Sequence, residues 1–159
     1  MNIRYKWGII TSAILISYFL VMKFAGLVHI LELRYLNAFI MLGGIWFAVR
    51  EFKRKFEFNY FSGLITGLST GFIATTIFAV FSFLYVTVID PAFMKAIQEN
   101  DLMGQYLNQY LVPVQIFIEG ATSAFLFSYI AMQRLKVSRT AETEQKLKGK
   151  PSEMVKEAK

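Results

Sequence analysis

The sequence predicts an all-α membrane protein with four transmembrane helices and an amphipathic helical segment between helices three and four. Three observations carry this prediction. The apolar residues fall in four long blocks separated by charged stretches, which is typical of membrane spans. Sixteen Phe and eight Tyr among 159 residues are more than a soluble protein of this size buries. Basic residues concentrate at the block edges and in the C-terminal tail, so membrane topology accounts for the formal charge of +6 better than nucleic-acid binding does.

The first two blocks predict spans over residues 7–22 and 35–49. Arg4 and Lys6 precede the first block as in a signal peptide, but no cleavage site of small residues follows it. We therefore interpret this block as an uncleaved span. Gly43 and Gly44 in the second block permit a close approach of a neighbouring helix or a mild kink.

The third and fourth blocks predict spans over residues 60–88 and 113–132. The third is longer than a perpendicular helix needs, so we expect it to tilt or to protrude from the bilayer. Between them, Asp90 is a suitable N-cap and Pro91 a suitable first helical residue. The segment 90–111 is therefore expected to form one or two short surface helices, with a break near Asn100.

The loops predict the orientation. The loop between spans two and three is strongly basic, whereas the loop between spans three and four is mainly acidic. By the positive-inside rule both termini lie in the cytoplasm, in agreement with an even number of spans. Because clustered cations attract anionic lipid headgroups, the basic loop is also a candidate lipid contact. Its basic residues are Arg50, Lys53, Arg54 and Lys55.

The chain divides into a four-span membrane domain, residues 1–132, and a charged cytoplasmic tail, residues 133–159. The tail has almost no large apolar residues and mixes Lys with Glu. This composition predicts a disordered or loosely helical extension.

Glu119 is the candidate functional residue, because it lies inside the fourth apolar block. A carboxylate at that depth costs about 2.5 to 3.5 kcal/mol on insertion scales. Gln115 lies one helical turn before it, while Thr122 and Ser123 lie one turn after it. Since lipid cannot satisfy these groups, we expect the polar stripe to point into the bundle.

A counter-charge for Glu119 is expected at similar depth. Lys23 at the end of span one and Arg34 at the start of span two are the candidates, and we prefer Lys23. Two interpretations of Glu119 stay open: an ion pair or hydrogen-bond network that fixes helix packing, or a site for a proton, an ion or a ligand.

The third span carries Gly63, Gly67 and Gly71, which form two overlapping repeats of small residues four apart. Such repeats allow another helix to approach closely, so we expect a packing face. Its partner is open between spans one and two of the same chain and span three of a second copy. A glycine-lined pore is the alternative.

Enzyme signatures are missing from the sequence. It contains no phosphate-binding loop, no HExxH motif and no nucleophile elbow. The absence of Cys excludes thiolate catalysis and thiolate metal sites. We expect no enzymatic activity, no cofactor and no metal site.

The run "FNYFSGLITGLSTGFIATTIFAVFSFLYVTVIDPAFM", followed by "PVQIFIEGATSAFLFSYI", resembles a family of uncharacterised bacterial four-helix membrane proteins, domain of unknown function 4199. The resemblance implies a four-helix fold in the bacterial cytoplasmic membrane and implies no activity. The residues that carry it are Gly63, Gly67, Tyr85, Ile89, Pro91, Phe93 and Glu119.

Two functions remain after this comparison. The favoured one is a non-enzymatic helix-packing or assembly module that joins another membrane protein or a second copy of itself. The alternative is a small oligomeric transporter or channel for ions or protons that uses Glu119. Spans one and two have few polar residues, which favours the module.

Overall fold

The computed structural model describes residues 2–27, 31–56, 59–91, 93–100, 106 and 108–149. All regular structure in these residues is helical, as predicted. The elements are α1 (Ile3–Phe24), α2 (Leu31–Lys55), α3 (Tyr60–Leu84) continued by a π-helical turn (Tyr85–Ile89), α4 (Phe93–Asn100) and α5 (Leu111–Gly149).

Among the described residues, three helical stretches are long and apolar enough to cross a membrane: Ile3–Phe24, Tyr60–Ile89 and Leu111–Leu135. The second predicted span, α2, is not among them. Polar and charged residues such as Asn37 and Arg50, together with two glycines, dilute its apolar character.

The centre of the bundle is α3, which packs against α1, α2 and α5, while α2 also packs against α1 and α5. The core where α2, α3 and α5 meet contains Ile45, Val49, Ala124 and Met132, none of which exposes any surface. Small residues on α3 and α5 keep these helices close together.

The first helix ends in a Schellman turn. The Gly26 N–H donates to the Lys23 carbonyl at 3.1 Å, and the Leu27 N–H donates to the Met22 carbonyl at 3.0 Å. Gly26 adopts a φ of 70°, which a residue with a Cβ rarely tolerates. The chain therefore turns away from α1 just after Phe24.

Long-range polar contacts identify the two ends of the bundle. At one end Lys6 of α1 pairs with Glu51 of α2 at 3.1 Å, and the Lys53 ammonium donates to the Leu135 carbonyl of α5 at 3.5 Å. At the other end Lys23 pairs with Asp90. We call the first end the basic end, because it holds Arg4, Lys6, Arg50, Lys53, Arg54 and Lys55.

Asp90 caps the start of α4, as predicted, because its Oδ1 accepts a hydrogen bond from the Phe93 N–H at 3.1 Å. The prediction of Pro91 as the first helical residue is wrong, since Pro91 lies in a turn and α4 begins at Phe93. The helix ends at Asn100, the predicted break, and residues 101–105 lie outside the described part of the chain.

The tail continues α5 without interruption to Gly149. Over residues 133–149 the backbone is therefore helical. The predicted tail also includes residues 150–159, which lie outside the described residues.

Candidate functional site

The polar stripe of α5 lies on the outside of the bundle. The Gln115 amide donates to Glu119 Oε1 at 3.0 Å, and the Thr122 hydroxyl donates to the Ile118 carbonyl at 2.9 Å. The side chains of Glu119 and Thr122 are both exposed, while Gln115 and Ser123 are intermediate. The predicted residues thus lie together on one helix, and Glu119 accepts a hydrogen bond from its neighbour one turn away.

The expectation that this stripe points into the bundle is wrong. The face of α5 that packs against α3 consists of Gly120, Ala124 and Ser128, spaced four residues apart. Small residues permit the closest helix contact, so this face takes the interior position. The longer polar side chains of Gln115 and Glu119 are thereby turned outward.

Lys23, the preferred counter-charge for Glu119, pairs with a different carboxylate. Its ammonium lies 2.8 Å from Asp90 Oδ2 and 4.0 Å from the centre of the Phe93 ring. Lys23 therefore ties the end of α1 to the cap of α4. Arg34 lies in the first turn of α2, and its side chain is outside the described residues.

An aromatic cluster surrounds this ion pair. The Phe19 ring meets Tyr85 edge to face at 5.1 Å and Phe93 at 5.8 Å. Tyr85 and Phe93 are both buried, and the Asp90 N–H donates to the Tyr85 carbonyl at 2.9 Å. Two of the residues that carry the family resemblance therefore meet in one packed structure at the end opposite the basic end.

The glycine face of α3 is a packing face, and its main partner is α5. A Cβ added at Gly67 would lie 2.7 Å from Ser128 Oγ, and one at Gly71 would lie 3.2 Å from the Ala124 Cα. Gly63 is also buried on α3. The fourth span was not among the partners expected from the sequence, because its small residues at 120, 124 and 128 stand between large apolar ones.

Glycines elsewhere in the core lie against hydroxyl groups. Thr11 of α1 contacts Gly44 of α2, and Thr75 of α3 contacts Gly120 of α5. A side chain larger than glycine at either position would collide with the threonine, so these glycines permit the close approach of the helices. Within the described residues four buried hydroxyls have no conventional hydrogen-bond partner: Thr11 Oγ1, Thr75 Oγ1, Thr87 Oγ1 and Ser128 Oγ.

Glu51 at the basic end is a site residue that the sequence did not single out. Its Oε2 accepts hydrogen bonds from Trp7 Nε1 at 2.6 Å and from Lys6 at 3.1 Å, and its Oε1 accepts one from Lys55 at 2.7 Å. These hydrogen bonds, with the one from Lys55 largest, lower the pKa of Glu51 from 4.5 to about 2. Glu51 lies beyond the predicted span 35–49. The spacing of four residues between Glu51 and Lys55 could have predicted their ion pair from the sequence, whereas the contacts of Glu51 with α1 depend on the tertiary fold.

The four basic residues predicted to contact lipid divide into two pairs. Lys55 pairs with Glu51, and Lys53 donates to the Leu135 carbonyl of α5. Arg50 and Arg54 are exposed on the outer face of α2. Lys55 thus forms an ion pair within α2 and Lys53 links α2 to α5, whereas the two arginines face the surroundings of the protein.

Among the described residues, no group of three or more His, Cys, Asp or Glu side chains has the arrangement of a metal site.

A model of the family described as "Protein of unknown function (DUF4199)" matches residues 6–159. Neither a curated protein nor a solved structure matches the chain.

Proposed function

We propose, from the premise that the chain belongs to the DUF4199 family of proteins of unknown function, that it is a non-enzymatic four-span membrane module that assembles with a membrane protein through the polar face of α5. Membership agrees with the family predicted from the sequence. The proposal rests on one observation: Glu119, Gln115 and Thr122 share the outer surface of a helix that is apolar enough to cross a membrane.

The packing of α2 supports its assignment as the fourth span. It lies alongside all three of the more apolar helices, and Ile45, Ala48 and Val49 are fully buried against them. Its outer surface is apolar as well, since Phe39 is 69% exposed and Phe47 is 49% exposed. A helix that is apolar on its inner and outer faces suits lipid surroundings.

Exposed tyrosines support the same arrangement. Tyr5 and Tyr60 lie near the basic end, and Tyr35 and Tyr110 lie towards the opposite end. Tyrosine is enriched at both membrane–water interfaces, so these residues are placed as two aromatic belts would be. The positive-inside rule then assigns the basic end, with both termini, to the cytoplasmic side of a bacterial inner membrane.

The outward polar face supports an assembly role because lipid hydrocarbon cannot solvate it. Glu119 and Thr122 are exposed there, and a carboxylate exposed to acyl chains is costly, so a protein surface over this face would replace an unfavourable contact with lipid. The glycine face of α3 is not available for this purpose, since α5 already covers it. The polar face of α5 is therefore the surface that we assign to a partner.

The experiment uses the absence of native Cys. We would introduce a single Cys at Thr122 on the polar face, with a matched control at Val80, which is 54% exposed on α3. Each variant would carry a spin label in native membranes, and its accessibility to oxygen dissolved in the lipid would be measured.

We expect the label at position 122 to be shielded and the label at position 80 to be freely accessible to oxygen. Equal accessibility at the two positions would contradict the assembly role. The transporter alternative needs a path between copies of the chain, because Glu119 lies outside the bundle core. A flux through reconstituted vesicles that Glu119→Gln abolishes would favour that alternative.

A further inference from the structure

The outer face of α2 changes from apolar to basic along its length. Phe39, Gly43, Phe47, Arg50 and Arg54 follow one another at spacings of three or four residues, so they share one face of the helix. A Cβ added at Gly43 would meet nothing within 4 Å. The missing side chain leaves an open notch between the two exposed aromatic residues.

The two arginines at the end of this face carry unbalanced charge. Both are exposed, and no carboxylate whose side chain the structure describes pairs with either of them. Like charges one helical turn apart repel each other, so a bound anion would stabilise this arrangement. The planar guanidinium group offers paired donors that match the oxygens of a phosphate.

We propose that this face binds an anionic phospholipid, with its phosphate on Arg50 and Arg54 and an acyl chain in the notch at Gly43. The helix rise puts the notch about 10 Å from Arg50 along the axis, which suits the glycerol backbone and the first part of a chain. Charge complementarity at one end and an apolar notch at the other select a phospholipid over a soluble anion. The inference rests on the proposed position of α2 in the bilayer.

Lipid titration of the purified full-length protein tests the proposal. The thermal unfolding temperature in neutral detergent would be followed while phosphatidylglycerol, phosphatidylcholine or glycerol phosphate is added. The test variant is Arg50→Gln/Arg54→Gln. The control is Arg4→Gln/Arg134→Gln, which removes the same charge from the basic end but from α1 and α5.

We expect phosphatidylglycerol to stabilise the wild type at much lower concentration than phosphatidylcholine does. Each arginine near an anionic headgroup contributes roughly fivefold, so the test variant should weaken the apparent affinity about 25-fold. The control should change it less than about threefold. Gly43→Leu, which fills the notch, should weaken phosphatidylglycerol binding without unfolding the protein, because the added side chain enters open space.

Equal effects of the two double variants, or of the two lipids, would overturn the proposal. If glycerol phosphate stabilises the protein as well as phosphatidylglycerol does, the site binds a soluble anion and the lipid assignment is wrong. Flotation with phosphatidylcholine vesicles after an alkaline wash checks membrane insertion separately. Failure to float would contradict the proposed function, whereas flotation without selectivity for phosphatidylglycerol would contradict only the lipid site.

Discussion

The contact between α3 and α5 yields the sharpest stability prediction, which concerns Gly71→Ala. The added Cβ would collide with the Ala124 side chain and would lie 3.2 Å from the Ala124 Cα. Neither atom can rotate away, since one belongs to the backbone of α5 and the other is fixed to it. The two helices must therefore move apart, or the new methyl group must remain overpacked.

The magnitude follows from two opposing effects. Overpacking a well-packed core costs about 1 to 3 kcal/mol. Replacing a helical Gly by Ala returns about 0.5 to 1 kcal/mol through reduced backbone entropy of the unfolded chain. The net loss for Gly71→Ala is therefore about 0 to 2.5 kcal/mol, with a middle value of about 1 kcal/mol. Gly43→Ala is the matched control, because its Cβ enters open space and only the gain of about 0.5 to 1 kcal/mol applies.

Equilibrium unfolding in mixed detergent micelles, followed by circular dichroism, would give the free energy of unfolding of each variant. The two substitutions should change it in opposite directions. If Gly71→Ala proves as stabilising as Gly43→Ala, α3 and α5 do not approach as closely as described, and the packing argument for the glycine face fails.

Three further predictions concern the ion pairs and the buried hydroxyls. The folded-state pKa of Glu51, about 2, lies below the ordinary 4.5, so its contribution to stability is present above pH 4.5 and is lost as the pH falls towards 2. The free energy of unfolding of the wild type should thus exceed that of Glu51→Gln at pH 7, and the difference should shrink as the pH falls from 4.5 towards 2. A difference that does not change with pH would contradict the ion-pair account. Asp90→Ala should destabilise α4 by about 0.5 to 2 kcal/mol through loss of the N-cap. Asp90→Asn keeps an accepting oxygen at the cap and removes the charge from the part-exposed pair with Lys23, so it should cost less than about 1 kcal/mol. Amide hydrogen exchange in α4 distinguishes these two variants, and equal exchange rates would disprove the cap. Ser128→Ala should leave the free energy of unfolding unchanged or raise it by up to about 1 kcal/mol, because the buried hydroxyl has no conventional partner among the described residues. A loss above about 1 kcal/mol would show that this hydroxyl makes a hydrogen bond.

The sequence predicted the elements of the fold because each depends on local information. Long apolar blocks specify α1, α3 and the apolar part of α5, and Asp90 supplies the side-chain cap for the short helix after α3. The π-helical turn at Tyr85–Ile89 had no signal in composition or spacing. It belongs to the turn that delivers Asp90 to Lys23, and such a turn depends on tertiary contacts.

The site was predicted in part. Gln115 and Glu119 lie one turn apart, and helix geometry alone brings them together. The side chains of Gln115 and Glu119 were predicted to point into the bundle, and this was wrong. Close packing of small residues, and not the polarity of the stripe, determines which face of α5 lies against α3. The small residues at 120, 124 and 128 take the face of α5 that packs against α3, and the side chains on the other faces therefore stay at the surface.

The continuation of α5 beyond Leu135 to Gly149 makes the helix a lever. Residues up to Leu135 pack in the bundle, and residues 136–149 continue the helix by about 20 Å at 1.5 Å per residue. A tilt of 10° at Leu135 would therefore move the far end by about 3.5 Å. Under the proposed assembly role, a partner that tilts α5 from Glu119 would thus displace this far end as well.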